Sequence, residues 1–133
     1  MTTGTYSRWM PPSSGAPNDD VLVTVEAAVA ALDAVYLKAS DLYAKANATA
    51  EATMPVAGFI VSKPSATSGL LRSAGDLAGF TLVGDTEYYA AKVAGQITAT
   101  APAVAGNVVQ GVGRAKNATT LTIAVQDDDY TVL

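Results

Sequence analysis

At 133 residues the chain has the length of one domain, enough to bury roughly two thirds of its unfolded surface, and half of it is hydrophobic, mostly Ala and Val, with two Phe and one Trp. The absence of Cys and His removes disulfides, thiolate nucleophiles, imidazole bases and the usual zinc and copper ligand sets. The net charge of −4, with Lys and Arg scattered singly, leaves no basic footprint for nucleic acid.

Residues 1–20 hold three of the six Pro together with Gly, Ser, Thr and Asn, and show no apolar period. They read as an extended arm. The arm nevertheless carries Tyr6, Arg8, Trp9 and Met10, including the chain's single Trp. Disordered segments are depleted in aromatic residues and interfaces are enriched in them, so these four residues are the candidate anchors for a partner. The arm lacks the basic and then apolar layout of a secretory signal, and no apolar run reaches the roughly 20 residues that span a bilayer. The expectation is a protein made and used without export and without a membrane partner.

From Val21 to the end at Leu133 the chain reads as one domain. VLVTVEA alternates Val21, Val23 and Val25 against Leu22, Thr24 and Glu26, which is strand spacing. Val29–Pro55 admits two readings. As a helix, Leu32, Tyr36, Ala39, Tyr43, Ala46 and Ala50 form one stripe, and the many Ala favour it. As a hairpin, it splits at Ala39-Ser40-Asp41, with Val35 and Leu37 on one face of the first strand, and Leu42, Ala44 and Ala46 inward and Tyr43, Lys45 and Asn47 outward on the second. Pattern alone leaves the two balanced, so the rest of the chain arbitrates.

Downstream, AGFIVSK reads as a strand ended by Pro64, and the next segment is punctuated by Gly69, Gly75, Gly79 and Gly84 at strand-and-turn spacing. TEYYAAK follows; AGQITATAP alternates Ile97, Ala99 and Ala101 against Thr98 and Thr100; two further apolar strands flank the turn Lys116-Asn117-Ala118. A lone long helix is the anomaly in this company, so Val29–Pro55 is read as a hairpin. The fold class expected is all-β, a small antiparallel barrel or sandwich with an extended N-terminal arm.

Candidate sites for chemistry are sparse. Asp33, Asp41, Asp76, Asp85, Glu51 and Glu87 sit among Gly, Ser, Thr and Ala and read as turn formers or surface charge, with nothing to pair two of them for acid and base work. Asp127-Asp128-Asp129 reads as a solvated acidic run, because consecutive residues of an extended chain cannot all reach one ion. Ser62-Lys63 is adjacent and lacks the spacing of a Ser/Lys dyad. Gly111-Val112-Gly113 marks a bulge or a close backbone approach and not a phosphate loop. The sequons at Asn47 and Asn117 are chance matches where no export signal exists. Of Tyr88 and Tyr89, one ring points inward and its neighbour outward as a possible interface. No catalytic residue, cofactor or metal is expected, and the chain does not read as an enzyme.

The order of motifs over about 85% of the chain resembles a small β-rich module of tailed-bacteriophage structural proteins. Val35-Tyr36-Leu37, the turn at Ser40-Asp41, Leu42-Tyr43-Ala44-Lys45-Ala46 and Thr53-Met54-Pro55 leading into Ala57-Gly58-Phe59 follow the module's pattern, except that Ser40-Asp41 lacks the Gly that usually follows. Leu82, Gly84, Tyr88 and Tyr89 match a Leu-x-x-Gly-x-x-Tyr-Tyr step with one extra residue, and Gly95 to Pro102 and Gly106 to Ala115 match two further stretches. The resemblance implies two strands in the ambiguous segment. It also implies a capsid decoration, or cement, protein on the outer surface of the virion head, with the major capsid protein and further copies of itself, as a trimer or a dimer, as partners. The alternative is a tail-fibre or spike-associated module that contacts a host surface glycan. The module forms nearly all of this chain, and neither a shaft nor an attachment segment accompanies it, which favours the head.

Overall fold

The computed structural model describes residues 20–125 and 130–133, and the fold is all-β. Among the described residues twelve strands follow in chain order: β1 (Val21–Val25), β2 (Ala34–Ala39), β3 (Leu42–Lys45), β4 (Gly58–Ser65), β5 (Ser68–Arg72), β6 (Ala74–Ala78), β7 (Glu87–Ala90), β8 (Ile97–Thr98), β9 (Val108–Val109), β10 (Gly111–Ala115), β11 (Thr120–Ala124) and β12 (Thr131–Val132). A single 3₁₀ turn at Glu51–Thr53 is the one helical element among the described residues.

The first five strands pair in a closed ring, β1-β3-β2-β4-β5, with β5 returning to β1. A second sheet runs β8-β7-β10-β11-β6, and β9 pairs with β12. All pairs are antiparallel except β1 with β3, which run parallel through Thr24↔Leu42 and Val25↔Tyr43. That pair departs from the antiparallel architecture the sequence suggests, because alternation fixes which face of a strand is buried and says nothing about its partner's direction.

The ambiguous segment is a hairpin. β2 and β3 pair through Tyr36↔Ala44 and Leu37↔Tyr43, with a bulge between Leu37 and Ala39. Asp41 takes the left-handed conformation at φ 60°, a region where Asp is enriched among non-glycine residues. It therefore supplies the turn geometry that the absent Gly otherwise provides.

Both faces of this hairpin are covered over Ala34–Tyr36 and along β3, while Leu37, Lys38 and Ala39 are exposed. Val25, Val29, Val35 and Ile60 fill the inside of the ring, with Val23, Tyr43 and Leu71 packed against them. The opposite face, through Ala34, Tyr36, Ala44, Ala46 and Phe59, joins Leu77, Tyr88, Val112, Leu121 and Ile123 of the second sheet in a larger core. Tyr43 thus faces the ring interior, contrary to its expected outward position, while Ala44 and Ala46 pack into the larger core as expected. Phe59 is fully buried, worth roughly 2 to 3 kcal/mol, and meets Phe80 edge to face at a centroid distance of 5.9 Å.

Pro64 does not end its strand. β4 continues through it to Ser65, and the register shifts between Ile60 and Ser62 and again between Ser62 and Ser65. A bulged stretch tolerates a residue with no N–H to give to the ladder. The neighbouring Lys63 Nζ donates to the carbonyls of Val29 (2.7 Å) and Ala27 (3.2 Å), strapping the loop between β1 and β2 onto the ring.

In the second sheet the glycines of β10 act as the sequence indicates. The register of β10 against β7 shifts between Gly111 and Gly113, and a Cβ on Gly113 would collide with the carbonyl oxygen of Thr122 on β11. The two Asn-Ala-Thr sequons are both turns. Asn47 Oδ1 accepts from the Thr49 N–H and hydroxyl, and Asn117 Oδ1 accepts from those of Thr119 and also from the Thr120 N–H.

Candidate binding surface

The strand expected from the alternation of Ile97 to Ala101 is cut to two residues. Ile97 and Thr98 pair with Ala90 and Tyr89 at the edge of the second sheet. Beyond them no strand among the described residues lies alongside, and the Thr100 N–H turns back to the Thr98 hydroxyl at 3.1 Å. Pro102 has no N–H to offer. The chain therefore leaves the sheet and curls away, so that Ala99 is exposed and Ala101 half-buried. The space between this departing segment and the turn after β7 is a groove of about 740 Å³, lined by Ala91, Val93, Ile97, Ala101, Pro102 and Val104, with Thr98, Thr100, Gln96 and Lys92 supplying its polar atoms.

Main-chain hydrogen bonds hold both walls. On one side the Ala91 N–H donates to Gln96 (3.1 Å), and Gly95, at φ 78°, donates to Ala46 (2.8 Å) and accepts from Ala34 (2.9 Å). On the other the Asn107 N–H reaches back to Val104 (3.0 Å), and Gly106 and Asn107 exchange hydrogen bonds with Leu133, which follows β12. Val93 and Val104 are 66% and 57% exposed at the rim. A framed concavity of this size, with an apolar lining and one charge, suits an apolar chain segment or ligand. Its polar side chains are the hydroxyls of Thr98 and Thr100, the amide of Gln96 and the amine of Lys92.

The carboxylates separate as follows. Asp76 accepts from Lys116 Nζ (2.8 Å) and the Thr122 hydroxyl (2.8 Å), and these hold it below the usual carboxylate range, the Lys116 hydrogen bond most of all. Asp85 takes the Arg114 guanidinium at 3.0 Å, and Glu51 accepts from Tyr130 at 3.3 Å. Asp41 is the turn residue of the β2–β3 hairpin, and Glu87 stands in register with Arg114. Asp33 is the exception to a surface reading, being only 7% exposed. Its Oδ2 accepts the Ala30 N–H at 2.8 Å and lies 3.8 Å from Lys45 Nζ, and Gly95 packs so closely that a Cβ there would meet its carboxyl carbon. Asp33 pins the loop that enters β2, a structural task. Ser62 is exposed, and Lys63 is engaged by main-chain carbonyls. Among the described residues no group of three or more His, Cys, Asp or Glu side chains is placed to hold a metal ion.

Tyr88 is the inward member of the tyrosine pair. It is buried in the larger core and its hydroxyl accepts the Val83 N–H at 2.9 Å. That commits Tyr88 to the fold and leaves half-buried Tyr89, opposite Thr98 of the groove, as the ring a partner can touch. Tyr6, Arg8, Trp9 and Met10, like Asp127-Asp128-Asp129, lie outside the described residues. The domain does show where the arm joins it: Asp20 receives the Arg72 guanidinium in a two-pronged contact at 2.8 and 3.0 Å, and Arg72 also donates to the Asp76 carbonyl at 2.6 Å. No helix among the described residues is long and apolar enough to cross a membrane. The groove itself is absent from the sequence reading; its signal is the small-residue run ITATAPAVA, whose alternation outlasts the partner strand. Comparison with protein-family models and with curated proteins finds no match for this chain.

Proposed function

We propose that the protein is a decoration, or cement, protein of a bacteriophage capsid, binding the outer surface of the assembled head and bridging major capsid protein subunits. The observation that carries this reading is a surface suited to contact with another chain: a largely apolar groove framed by main-chain hydrogen bonds, on a small β domain. The motif resemblance to phage structural modules points the same way. The mechanism is mass action. A protein that binds the assembled shell and not its separated subunits stabilises the assembly, and copies joined around a symmetry axis, as a trimer or dimer, hold several subunits at once.

The test is the number of copies per purified virus particle, measured by quantitative mass spectrometry against the most abundant shell protein. Near-stoichiometric copies support decoration of the head. A handful of copies moves the protein to the tail or a single vertex and favours the alternative, a module that contacts host glycan. Absence from particles overturns both readings.

A further inference from the structure

We infer that a pocket beside the groove, built around Asp33, takes the side chain of a lysine carried by an extended partner segment. The pocket has a volume of about 270 Å³, and Leu32, Asp33, Phe80, Gly95, Gln96 and Ile97 are among its lining residues. Small-molecule sites run to roughly 300–1,000 Å³, so this one suits a single long side chain. Gln96 and Ile97 also line the groove, and the two concavities therefore adjoin. The pocket's floor is a carboxylate with one free oxygen. Asp33 is buried, and its Oδ2 accepts the Ala30 N–H and faces Lys45. No donor among the described residues reaches Oδ1. Oδ1 is nevertheless not sealed in the protein, since Asn107 Nδ2 is the one enclosed side-chain polar atom left without a partner among the described residues. Gly95 keeps it open: a Cβ there would stand 3.0 Å from Oδ1 and fill the space in front of it. Leu32, on the facing wall, is held at φ 75° with its N–H on the Ile60 carbonyl at 2.6 Å. A bulky residue rarely takes that conformation, and strain of this kind gathers at ligand sites.

The chemistry of the occupant follows from these parts. Leu32, Phe80 and Ile97 make apolar walls around one carboxylate oxygen, and no Lys or Arg is among the lining residues. A lysine matches both features, burying its methylene stem along the walls and bringing its ammonium to Oδ1. Lys45 does not fill this role: it approaches Oδ2 at 3.8 Å and does not line the pocket. Arginine fits less well, because its planar fork gains most from two carboxylate oxygens and only one is free, whereas an ammonium binds as a point charge. The lysine belongs to a chain and not to a free amine, because the pocket continues into a groove whose Ala, Val and Pro lining suits the apolar residues beside it. The inference stands apart from the decoration reading, which would place that lysine on a shell subunit, and it is tested on the isolated protein, so its failure leaves that reading standing.

The experiment titrates the full chain, labelled with nitrogen-15, with the end-blocked peptide Val-Ala-Lys-Ala-Val and follows its amide resonances. Three other probes are run beside it: the same peptide with norleucine for lysine, the same peptide with arginine for lysine, and n-butylamine. The expected result is saturable shifts at Leu32, Asp33, Phe80, Gly95 and Gln96 that extend to Val104 with the lysine peptide. The norleucine peptide and n-butylamine bind roughly tenfold or more weakly, and the arginine peptide binds more weakly than the lysine one. Asp33→Asn, which keeps an oxygen for the Ala30 N–H, loses the preference for lysine over norleucine; the spectrum of the variant checks its fold, and the comparison of probes on the wild type needs no variant. Absence of shifts at the pocket, or a norleucine or arginine peptide that binds as tightly as the lysine one, would overturn the inference. n-Butylamine binding as tightly as the lysine peptide would overturn it in favour of a free amine, and an Asp33→Asn protein that still prefers lysine would overturn the role of the carboxylate.

Discussion

The side-chain amide of Gln110 pairs with both main-chain groups of Val56, Oε1 accepting the N–H at 2.7 Å and Nε2 donating to the carbonyl at 3.0 Å. It does for one residue what a neighbouring strand does for several. Gln110 and Val56 are both fully buried, so no water is on hand to replace the amide. The contact also joins two stretches of the resemblance, Thr53-Met54-Pro55 with its following strand and Gly106 to Ala115, across 54 residues. Gln110→Leu fills similar space and strands two buried polar groups, each costing about 1 to 3 kcal/mol. The expected loss is about 3 kcal/mol in urea unfolding, with an unchanged m-value. A loss under about 1 kcal/mol would show that the segment finds other partners.

Gly113 and Gly84 form a matched pair of tests. A Cβ at Gly113 runs into the Thr122 carbonyl and approaches Ile123 Cα at 3.2 Å, both main-chain atoms of the adjoining strand, whereas at Gly84 the nearest atom is Asn117 Cα at 3.6 Å. Gly113→Ala should destabilise by about 2 to 3 kcal/mol through forced separation of β10 and β11. Gly84→Ala should be neutral or stabilising by up to about 1 kcal/mol, through the unfolded chain. Thermal unfolding of the two variants side by side decides this; equal losses would mean that propensity, not contact, sets the cost.

Much of the fold is legible from alternation, and the places where it blurs have a physical cause. In β1, Val23 and Val25 line the ring while Leu22 faces out at 63% exposure, as the period of two requires. Over Ala34–Tyr36 of β2 and in β3 the alternation fails because both faces are buried, one in the ring and one against the second sheet. Apolar residues then occur at steps of one, three and four alike, which is why a helix fits the same letters. The parallel pairing of β1 with β3 leaves no mark on either strand. The groove is invisible for the opposite reason: Ile97 to Ala101 alternate as a strand does, and the pairing among the described residues ends at Thr98. Gln110 reads as an unremarkable polar residue until Val56 is seen beside it.

Asp76 gives the domain an acid-sensitive contact. Its hydrogen bonds to Lys116 and Thr122 hold its pKa below the ordinary 3.8, so the folded state binds that proton less readily than the unfolded chain. Stability from this group is therefore fully present above the unfolded value and is lost as pH falls through the folded one. Lys116 behaves reciprocally. Its pKa is raised above 10.5, chiefly by the same hydrogen bond, and its contribution is lost as the pH rises through that higher value. Asp76→Asn should flatten the stability profile below about pH 4 and leave a small change at neutral pH, since the pair is on the surface. A wild-type slope unchanged in the variant would assign the acid sensitivity elsewhere.

Asp33 separates shape from charge. Asp33→Asn keeps an oxygen for the Ala30 N–H and gives up the long contact to Lys45, whereas Asp33→Ala leaves the N–H without its 2.8 Å partner and opens space beside Gly95. The expected costs are under about 1 kcal/mol for Asn and about 1 to 3 kcal/mol for Ala. Chemical denaturation of both reads the difference. If Asn is as damaging as Ala, the carboxylate charge matters more than the loop contact it makes.

Removal of residues 1 to 18 tests the arm as a whole. The truncated chain keeps Asp20 and with it the clasp on Arg72, and it keeps every core residue among the described ones. Its unfolding midpoint should stay within a few degrees of the full chain's. On the decoration reading, binding to shells stripped of the protein should weaken about 10²-fold, because a linked contact at high effective concentration is then lost. The loss should appear as faster dissociation, with little change in association rate. A truncated chain that binds as tightly as the full one would mean that the domain surface holds the shell unaided, and the aromatic residues of the arm would need another purpose.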